Sequence, residues 1–359
     1  MQNSPKKILL FIPTLQQGGA ERVMSELANE WCSLGNKVFL VLFAKNIPFY
    51  ALDENIEVIH LGFDNQKKYL LKLFDFIRAF LALRRQIKNV KPDFVLSFMD
   101  RYNLIAIMAS QFLNTKVFVS DRANPYEYVP KIVAISRKFI YQLADGIIAQ
   151  TQLAKKYLIS QTHHKNIEVI HNPVKAFDSS KSKQREKIIL NVGRLVTEKG
   201  QFYLLDMMAK ANLNDWKLVV LGDGFLRNDL ENRIKALNIG DKVELLGTVS
   251  NVDDWLFKAS IFAFPSISEG FPNALVEAMA AGLPCVSFDC NAGPNEIIDH
   301  EKNGYLVPVG DVETFTSYVL NLIDNPTIRK EISIEAKKIA KKLDCKNIAQ
   351  HYFNFCTKE

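Results

Sequence analysis

Two glutamates eight positions apart, Glu269 and Glu277, sit in the stretch Ser-Ile-Ser-Glu-Gly-Phe-Pro-Asn-Ala-Leu-Val-Glu-Ala-Met-Ala-Ala-Gly-Leu-Pro, residues 266–284. Carboxylates accept hydrogen bonds from sugar hydroxyls, while the N–H groups of a helix N-terminus face electron-rich atoms such as phosphate oxygens. A ligand carrying both hydroxyls and an anionic part suits this combination, and an anion alone does not. Local signals place the pair. The apolar run Ile261–Phe264 reads as a buried strand, Pro272 suits a first helical turn, and Gly282 followed by Pro284 ends the helix. Glu269 therefore falls in a strand-to-helix loop. Glu277 lies about one and a half turns into the helix, whose side chains lean toward its N-terminus and the same crevice.

Asn191-Val-Gly-Arg-Leu-Val-Thr-Glu-Lys-Gly200 follows another apolar run and precedes a helix expected from about Gln201. Arg194 and Lys199 thus share one loop at a strand's carboxyl end, where two cations can neutralise a diphosphate. Pro13-Thr-Leu-Gln-Gln-Gly-Gly-Ala-Glu-Arg22 lies between a first strand and a first helix, so Gly18 and Gly19 allow close backbone approach at a helix N-terminus. It is neither a G-x-G-x-x-G dinucleotide site nor a P-loop. Leu221-Gly-Asp-Gly224 ends a further strand, and Asp223 reads equally as a ligand contact or as an ordinary turn aspartate.

The elements that must hold these loops alternate in the βαβ manner. In the first half, Ile8–Ile12, Val38–Phe43, Phe94–Phe98, Val117–Val119 and Gly146–Ala149 read as strands between amphipathic helices. A polar, Ser/Lys-rich stretch interrupts the pattern, which resumes with Ile188–Val192, Lys217–Leu221, Val243–Leu245, Ile261–Phe264, Cys285–Phe288 and Tyr305–Val307. The expectation is an α/β chain of two doubly wound parallel-sheet, Rossmann-like domains, 1–173 and 187–343, with a linker at 174–186. A final helix within 344–359 is expected to pack back on the first domain. Ligands of such sheets bind beyond the carboxyl ends of the strands, here in the cleft that two such domains would enclose.

Glu-Gly-Phe-Pro-Asn-Ala-Leu-Val-Glu closely resembles the E-x7-E signature of the retaining glycosyltransferases of glycosyltransferase family 4. The resemblance extends to Gly193-Arg194…Glu198-Lys199-Gly200 and to the glycine loop at Gly18 and Gly19, and so covers nearly the whole chain. It implies the GT-B fold and a metal-independent, retaining transfer from a nucleotide-diphosphate sugar, most readily a uridine one. The implied acceptor is a polyprenyl-diphosphate-linked or other glycan in surface polysaccharide synthesis. No cofactor is implied.

Under that resemblance Arg194 and Lys199 grip the diphosphate, Glu277 holds the ribose hydroxyls, and Glu269 holds the transferred sugar. The backbone of Gly270, Phe271, Pro272 and Asn273, with Ala274 and Leu275 following, completes the donor contacts. Gly18 and Gly19 line the side opposite the diphosphate, Asp223 lies near the base, and Gly293-Pro-Asn-Glu296 lies beside the donor. One departure stands out. Many members carry a histidine near the reacting sugar where this chain reads Val119-Ser-Asp-Arg-Ala-Asn-Pro125, leaving Asp121 or Arg122 as the candidate there. The segment is similar to that of members extending lipid-linked oligosaccharides. A hydrolase or epimerase of the same fold, or a sugar-nucleotide-binding scaffold without turnover, would show many of the same motifs.

Composition narrows the classes. The chain has 359 residues, 48% hydrophobic and 23% charged, which is long enough for two cores. No apolar run approaches the ~20 residues of a membrane span, and Ile8–Ile12 is too short for a signal-peptide core, so a cytoplasmic protein is expected. The five cysteines, Cys32, Cys285, Cys290, Cys345 and Cys356, show neither metal-ligand spacing nor a C-x-x-C pair, and no Asp-x-Asp pair occurs. No metal site is expected. Of the net charge of +6, residues 67–91 contribute +7, with eight Lys or Arg and one acid, so the rest of the chain sums to −1. Such a local patch without a recognition motif argues against nucleic acid. It fits peripheral docking to an anionic membrane surface through Lys67, Lys68, Lys72, Arg78, Arg84 and Arg85.

Overall fold

The computed structural model describes residues 4–16, 18–63, 69–122, 131–175, 177, 184–211, 213 and 215–358, with the backbone alone described at 69–74 and 131–133. The chain divides into two compact units, Met1–Pro173 with Cys345–Glu359, and Val174–Asp344.

The first unit carries a seven-stranded sheet in the order β3-β2-β1-β4-β5-β6-β7. Its strands are β1 (Lys7–Ile12), β2 (Lys37–Ala44), β3 (Glu57–Phe63), β4 (Phe94–Phe98), β5 (Lys116–Ser120), β6 (Gly146–Ala149) and β7 (Ile167–Val169). Every pairing is parallel, for instance Leu9 opposite Phe39 and Val95. Strands buried on both faces need continuous apolar runs, and β1 and β4 are buried almost throughout. The helices are α1 (Gly19–Ser33), α2 (Tyr69–Val90), α3 (Asp100–Ser110), α4 (Lys131–Ile140) and α5 (Gln152–Thr162). Thr151, fully buried, caps α5 by accepting a hydrogen bond from the Ala154 N–H.

The second unit repeats the plan with six strands in the order β10-β9-β8-β11-β12-β13. These are β8 (Ile188–Val192), β9 (Lys217–Leu221), β10 (Val243–Gly247), β11 (Ile261–Phe264), β12 (Cys285–Phe288) and β13 (Tyr305–Val307). Its helices are α6 (Gln201–Lys210), α7 (Arg227–Ala236), α8 (Val252–Lys258), α9 (Asn273–Ala280), α10 (Pro294–Ile297), α11 (Val312–Asp324), α12 (Pro326–Lys337) and α13 (Ile339–Lys342). The last helix, α14 (Cys345–Thr357), belongs to the first unit, where Trp31 Nε1 of α1 donates to the Ala349 carbonyl at 3.0 Å.

The doubly wound α/β class expected from the alternation is the one the chain forms. Two strands escape the sequence reading. β3 is an edge strand with a mostly half-exposed face, and β7 has only three residues, so neither supplies an apolar run. Arg185, inside the polar stretch, is half-buried. Its guanidinium donates to the carbonyls of Leu256 and Ala259 at the end of α8 and of Ala281 and Gly282 at the end of α9, closing orphan carbonyls of two helices.

Candidate functional site

In the second unit the strand order reverses between β8 and β11, the place where loops diverge and ligands of doubly wound sheets bind. The loop after β8 ends in a 3₁₀ turn, Thr197–Lys199, and the loop after β11 carries Glu269. Lys199 Nζ lies 2.6 Å from Glu269 Oε1, with side chains 21% and 8% exposed, and 5.9 Å from the centre of the Phe264 ring. The backbones lock this meeting. The Ile267 N–H donates to the Glu198 carbonyl at 2.9 Å, and a Cβ on Gly200, at φ +65°, would stand 2.1 Å from the Pro265 oxygen. Lys199 thus keeps two ammonium hydrogens for another acceptor.

Arg194 rides on the same loop with an exposed side chain that makes no hydrogen bond or ion pair among the described residues. Its backbone is clamped on both sides. Gln201 Nε2 donates to the Arg194 carbonyl at 2.9 Å, and the Leu195 N–H donates to the Asp223 carbonyl at 3.0 Å. Asp223 itself accepts from the Gly224 N–H at 2.8 Å and lies 4.0 Å from Arg227, so its carboxylate serves its own turn. The Leu221–Gly224 segment therefore supports the cation loop by backbone contact.

Asn273 begins α9 after Pro272, and Glu277, half-buried, is its fifth residue, engaged with a neighbour. Gly270, Phe271, Asn273, Ala274 and Leu275 form the loop end and first turn, Phe271 and Leu275 being buried. Gly293 presses on this turn: a Cβ there, at φ +130°, would lie 2.4 Å from Pro272 Cδ. Glu296 follows in α10, also engaged. Cys290, one of the five cysteines, is buried beside the ion pair. Burial first, and then the Glu269 carboxylate, push its thiol up to about 12.

In the first unit the order reverses between β1 and β4. Gly18 caps α1 in an extended conformation, with the Tyr50 hydroxyl accepting from its N–H at 3.3 Å and donating to its carbonyl at 3.1 Å, and Gly19 opens the helix. Glu21, which no motif marked, has its carboxyl raised by burial, opposed by hydrogen bonds from the backbone and Thr14 and by the Arg122 charge.

Arg122 and Asp121 follow β5 and diverge. The Arg122 guanidinium stacks 3.8 Å from the Phe98 ring centre and donates to Asn172 Oδ1 at 2.6 Å and to the Tyr352 hydroxyl at 3.1 Å. Asp121 is buried and pairs with Arg137 at 3.1 Å, while Arg137 also binds Asp100 closely. Burial works against the Arg137 charge, but Asp121 and then Asp100 outweigh it and hold its pKa above the ordinary value. Of the two sequence candidates, Asp121 thus pairs with Arg137, and Arg122 with Asn172 and Tyr352.

Residues 174–339 match the family described as glycosyl transferases group 1, and residues 17–176 match glycosyltransferase family 4. A GalNAc-alpha-(1->4)-GalNAc-alpha-(1->3)-diNAcBac-PP-undecaprenol alpha-1,4-N-acetyl-D-galactosaminyltransferase of Campylobacter jejuni is 30% identical over 96% of this chain and 97% of its own length. An N-acetylgalactosamine-N,N'-diacetylbacillosaminyl-diphospho-undecaprenol 4-alpha-N-acetylgalactosaminyltransferase of the same organism is 31% identical over 96% and 98%. The chain belongs to this glycosyltransferase family. An Anabaena structure in complex with UDP and glucose superposes with a TM-score of 0.81 at 20% identity, covering 99% of this chain and 100% of that one, so the GT-B fold is shared.

The docking residues expected on the glycosyltransferase separate in the structure. Lys67 and Lys68 lie outside the described residues, and Lys72 is described by its backbone alone. Arg78 is 61% exposed, 3.7 Å from Asp75, and Arg85 is exposed. Arg84 is a correction: it is half-buried and donates to the carbonyls of Ala109 and Gln111 at 2.9 and 2.7 Å, so it joins α2 to the end of α3. Ile77 and Leu81 of α2 are 50% and 57% exposed, because Ala79, Leu83 and Ile87 take the core side. Among the described residues no helix is long and apolar enough to cross a membrane.

Proposed function

We propose that this glycosyltransferase moves a hexose or N-acetylhexosamine from a uridine-diphosphate sugar to a polyprenyl-diphosphate-linked glycan, with retention at the anomeric carbon and without a metal or other cofactor. The observation that carries the reading is Lys199 held by Glu269 at the second unit's switch point, with Arg194 exposed on the same loop. Two cations suited to a diphosphate share that loop, and one of them lies against a carboxylate suited to hydroxyls. As the sugar–phosphate bond breaks, charge grows on the departing diphosphate, and a Lys199 already oriented by Glu269, with Arg194 on the same backbone-clamped loop, stabilises it with little reorganisation. Lys199 and Arg194 act on that leaving group, Glu269 on the transferred sugar's hydroxyls, and Glu277 on the ribose.

The names of the Campylobacter relatives support a lipid-linked acceptor, and the UDP complex of the Anabaena protein supports the nucleotide. An acceptor carried on a membrane lipid requires the enzyme to reach that surface, and the exposed Arg78 and Arg85 of α2 suit an anionic leaflet. The first test is a thermal-shift screen against uridine, guanosine and adenosine diphosphate sugars, because a ligand that binds only the folded chain raises its melting temperature. The second is product analysis with and without a polyprenyl-diphosphate glycan, in buffer and in EDTA. Uridine-sugar stabilisation and acceptor-dependent, EDTA-resistant transfer are expected. Equal nucleotide release without acceptor would identify a hydrolase, and bound but unconsumed donor would identify a scaffold.

A further inference from the structure

At the opposite, amino-terminal edge of the first unit's sheet, a cavity of about 560 Å³ is lined by Lys7, Lys88, Lys91, Asp93, Leu113 and Asn114, among others. Asp93 is already occupied: its carboxylate accepts from the Lys7 N–H at 2.8 Å and from Lys6 Nζ at 3.3 Å. The ammonium groups of Lys7, Lys88 and Lys91 make no hydrogen bond or ion pair among the described residues. The carboxyl-end dipole of α2 offsets about half a unit charge, which leaves most of three positive charges around one cavity uncompensated. An anion is the complement such a cavity lacks.

Phe112, next to the cavity-lining Leu113, is 99% exposed and sits at φ +59°. A bulky residue rarely adopts that left-handed conformation, and a fully exposed ring gains nothing from burial, so two unfavourable features coincide at one position. The structure holds the ring out. Arg84 grips the Ala109 and Gln111 carbonyls just before it, and Gln111 Nε2 donates to the Leu143 carbonyl at 3.2 Å, setting the 53% exposed Leu143 on the adjoining helix end. An apolar wedge beside a cationic cavity matches the two layers of a lipid surface, acyl chain and headgroup phosphate.

We propose that this edge is a phospholipid-binding site, in which Lys7, Lys88 and Lys91 take the phosphate of an anionic lipid and Phe112 enters the acyl layer beside it. The site deepens the docking reading above and rests on it, and it moves the principal contact from the start of α2 to its end. Wild type, Lys88→Glu/Lys91→Glu, Phe112→Ser and Phe112→Trp proteins are sedimented with phosphatidylglycerol or phosphatidylcholine vesicles. A thermal shift by the donor sugar nucleotide serves as the folding control for each.

Wild type binds the anionic vesicles selectively. The double charge reversal and Phe112→Ser each weaken that binding by about 10-fold or more. The Phe112→Trp protein gains a blue-shifted emission on the anionic vesicles that the three native tryptophans of wild type do not show. If wild type binds no vesicle, docking and site both fall. If the charge-reversed or Phe112→Ser protein binds as wild type does, or the Phe112→Trp protein gains no such emission, the site falls while docking by α2 stands. Release from the vesicles by millimolar inorganic phosphate, at an ionic strength where chloride does not release the protein, would assign the cavity to a soluble anion and overturn the lipid assignment.

Discussion

Lys199 and Glu269, 70 residues apart in the chain, meet at 2.6 Å because the loops after β8 and β11 converge at the point where the sheet order reverses. Removing either partner tests both stability and chemistry. Lys199→Ala strands a carboxylate that is only 8% exposed, and we expect a loss of about 1–3 kcal/mol, discounted because the lysine is partly solvated. Urea unfolding should show the Lys199→Ala/Glu269→Ala double variant losing less than the sum of the single losses. Turnover should fall about 10²-fold or more in Lys199→Ala and in Arg194→Ala, the range for losing one donor to a developing anion. Wild-type turnover in a folded Arg194→Ala/Lys199→Ala protein would remove this loop from the diphosphate.

Glu277 and Glu269 should separate kinetically. Ribose contacts are equal in the ground and transition states, whereas contacts to the sugar change as it flattens. Glu277→Ala is expected to raise the donor KM about 10-fold with kcat little changed, and Glu269→Ala to lower kcat with the smaller change in KM. An unchanged donor KM in Glu277→Ala would contradict the ribose role.

Much of this site was legible because it lies on local signals. Pro272, the helix-forming Ala-Leu-Val-Glu-Ala-Met-Ala run and Gly282 bound one short helix, and the helix found is Asn273–Ala280. The buried partners were not legible. Glu21, Arg137, Tyr352 and Cys290 reach their neighbours through long-range packing, and nothing in their immediate sequence marks a charge or thiol that will be desolvated. Arg185 misled in the other direction. It sits in a Ser/Lys-rich run that reads as linker, yet its fork of five donors closes four helix-end carbonyls, a role set by where α8 and α9 end in space. In the basic helix Ala79, Leu83 and Ile87 face the core and Ile77 and Leu81 face solvent, a phase that the many apolar residues of this segment do not single out.

Arg137 is expected to be the costliest single charge to remove in the first unit. Its side chain is 3% exposed and pairs with both Asp121 and Asp100, so Arg137→Met removes the guanidinium that two carboxylates share and should lower stability by about 3–5 kcal/mol. In that variant the Asp121 carboxylate has lost the Arg137 charge and takes up a proton more readily than in the wild-type folded state. The folded state then binds the extra proton, so the defect should shrink as pH falls from about 7 toward 5 and grow as it rises. Denaturant titrations at the two pH values decide this. A pH-independent loss would show that packing, not charge, is the defect.

Cys290 should be inert although it adjoins the ion pair. With its thiol pushed up to about 12, chiefly by burial and next by Glu269, only about one molecule in 10⁴ carries a thiolate at pH 8. Ellman's reagent should leave it unmodified in the native protein, and Cys290→Ala should keep the pH profile of kcat between about 6 and 9. A lost or shifted limb in that profile would give the thiol a part in the chemistry.

Gly222 carries the last expectation, because it joins the turn at Asp223 to the loop bearing Arg194. Its φ is +133° and a Cβ would lie 2.0 Å from the Gly193 oxygen, a backbone atom that cannot swing aside. The adjacent Gly193 N–H to Leu221 carbonyl bond at 2.9 Å and Leu195 N–H to Asp223 carbonyl bond at 3.0 Å would have to stretch for the loop to retreat. Gly222→Ala should therefore cost about 2–4 kcal/mol, combining backbone strain with displacement of the loop. It should also raise the donor KM, because Arg194 moves with the loop. Gly240→Ala is the control, since among the described residues the only atom near its Cβ position is a methyl group at 3.9 Å and its φ is not positive. If Gly222→Ala matched that control in both stability and KM, the close approach of these two loops would not be what holds Arg194 in place.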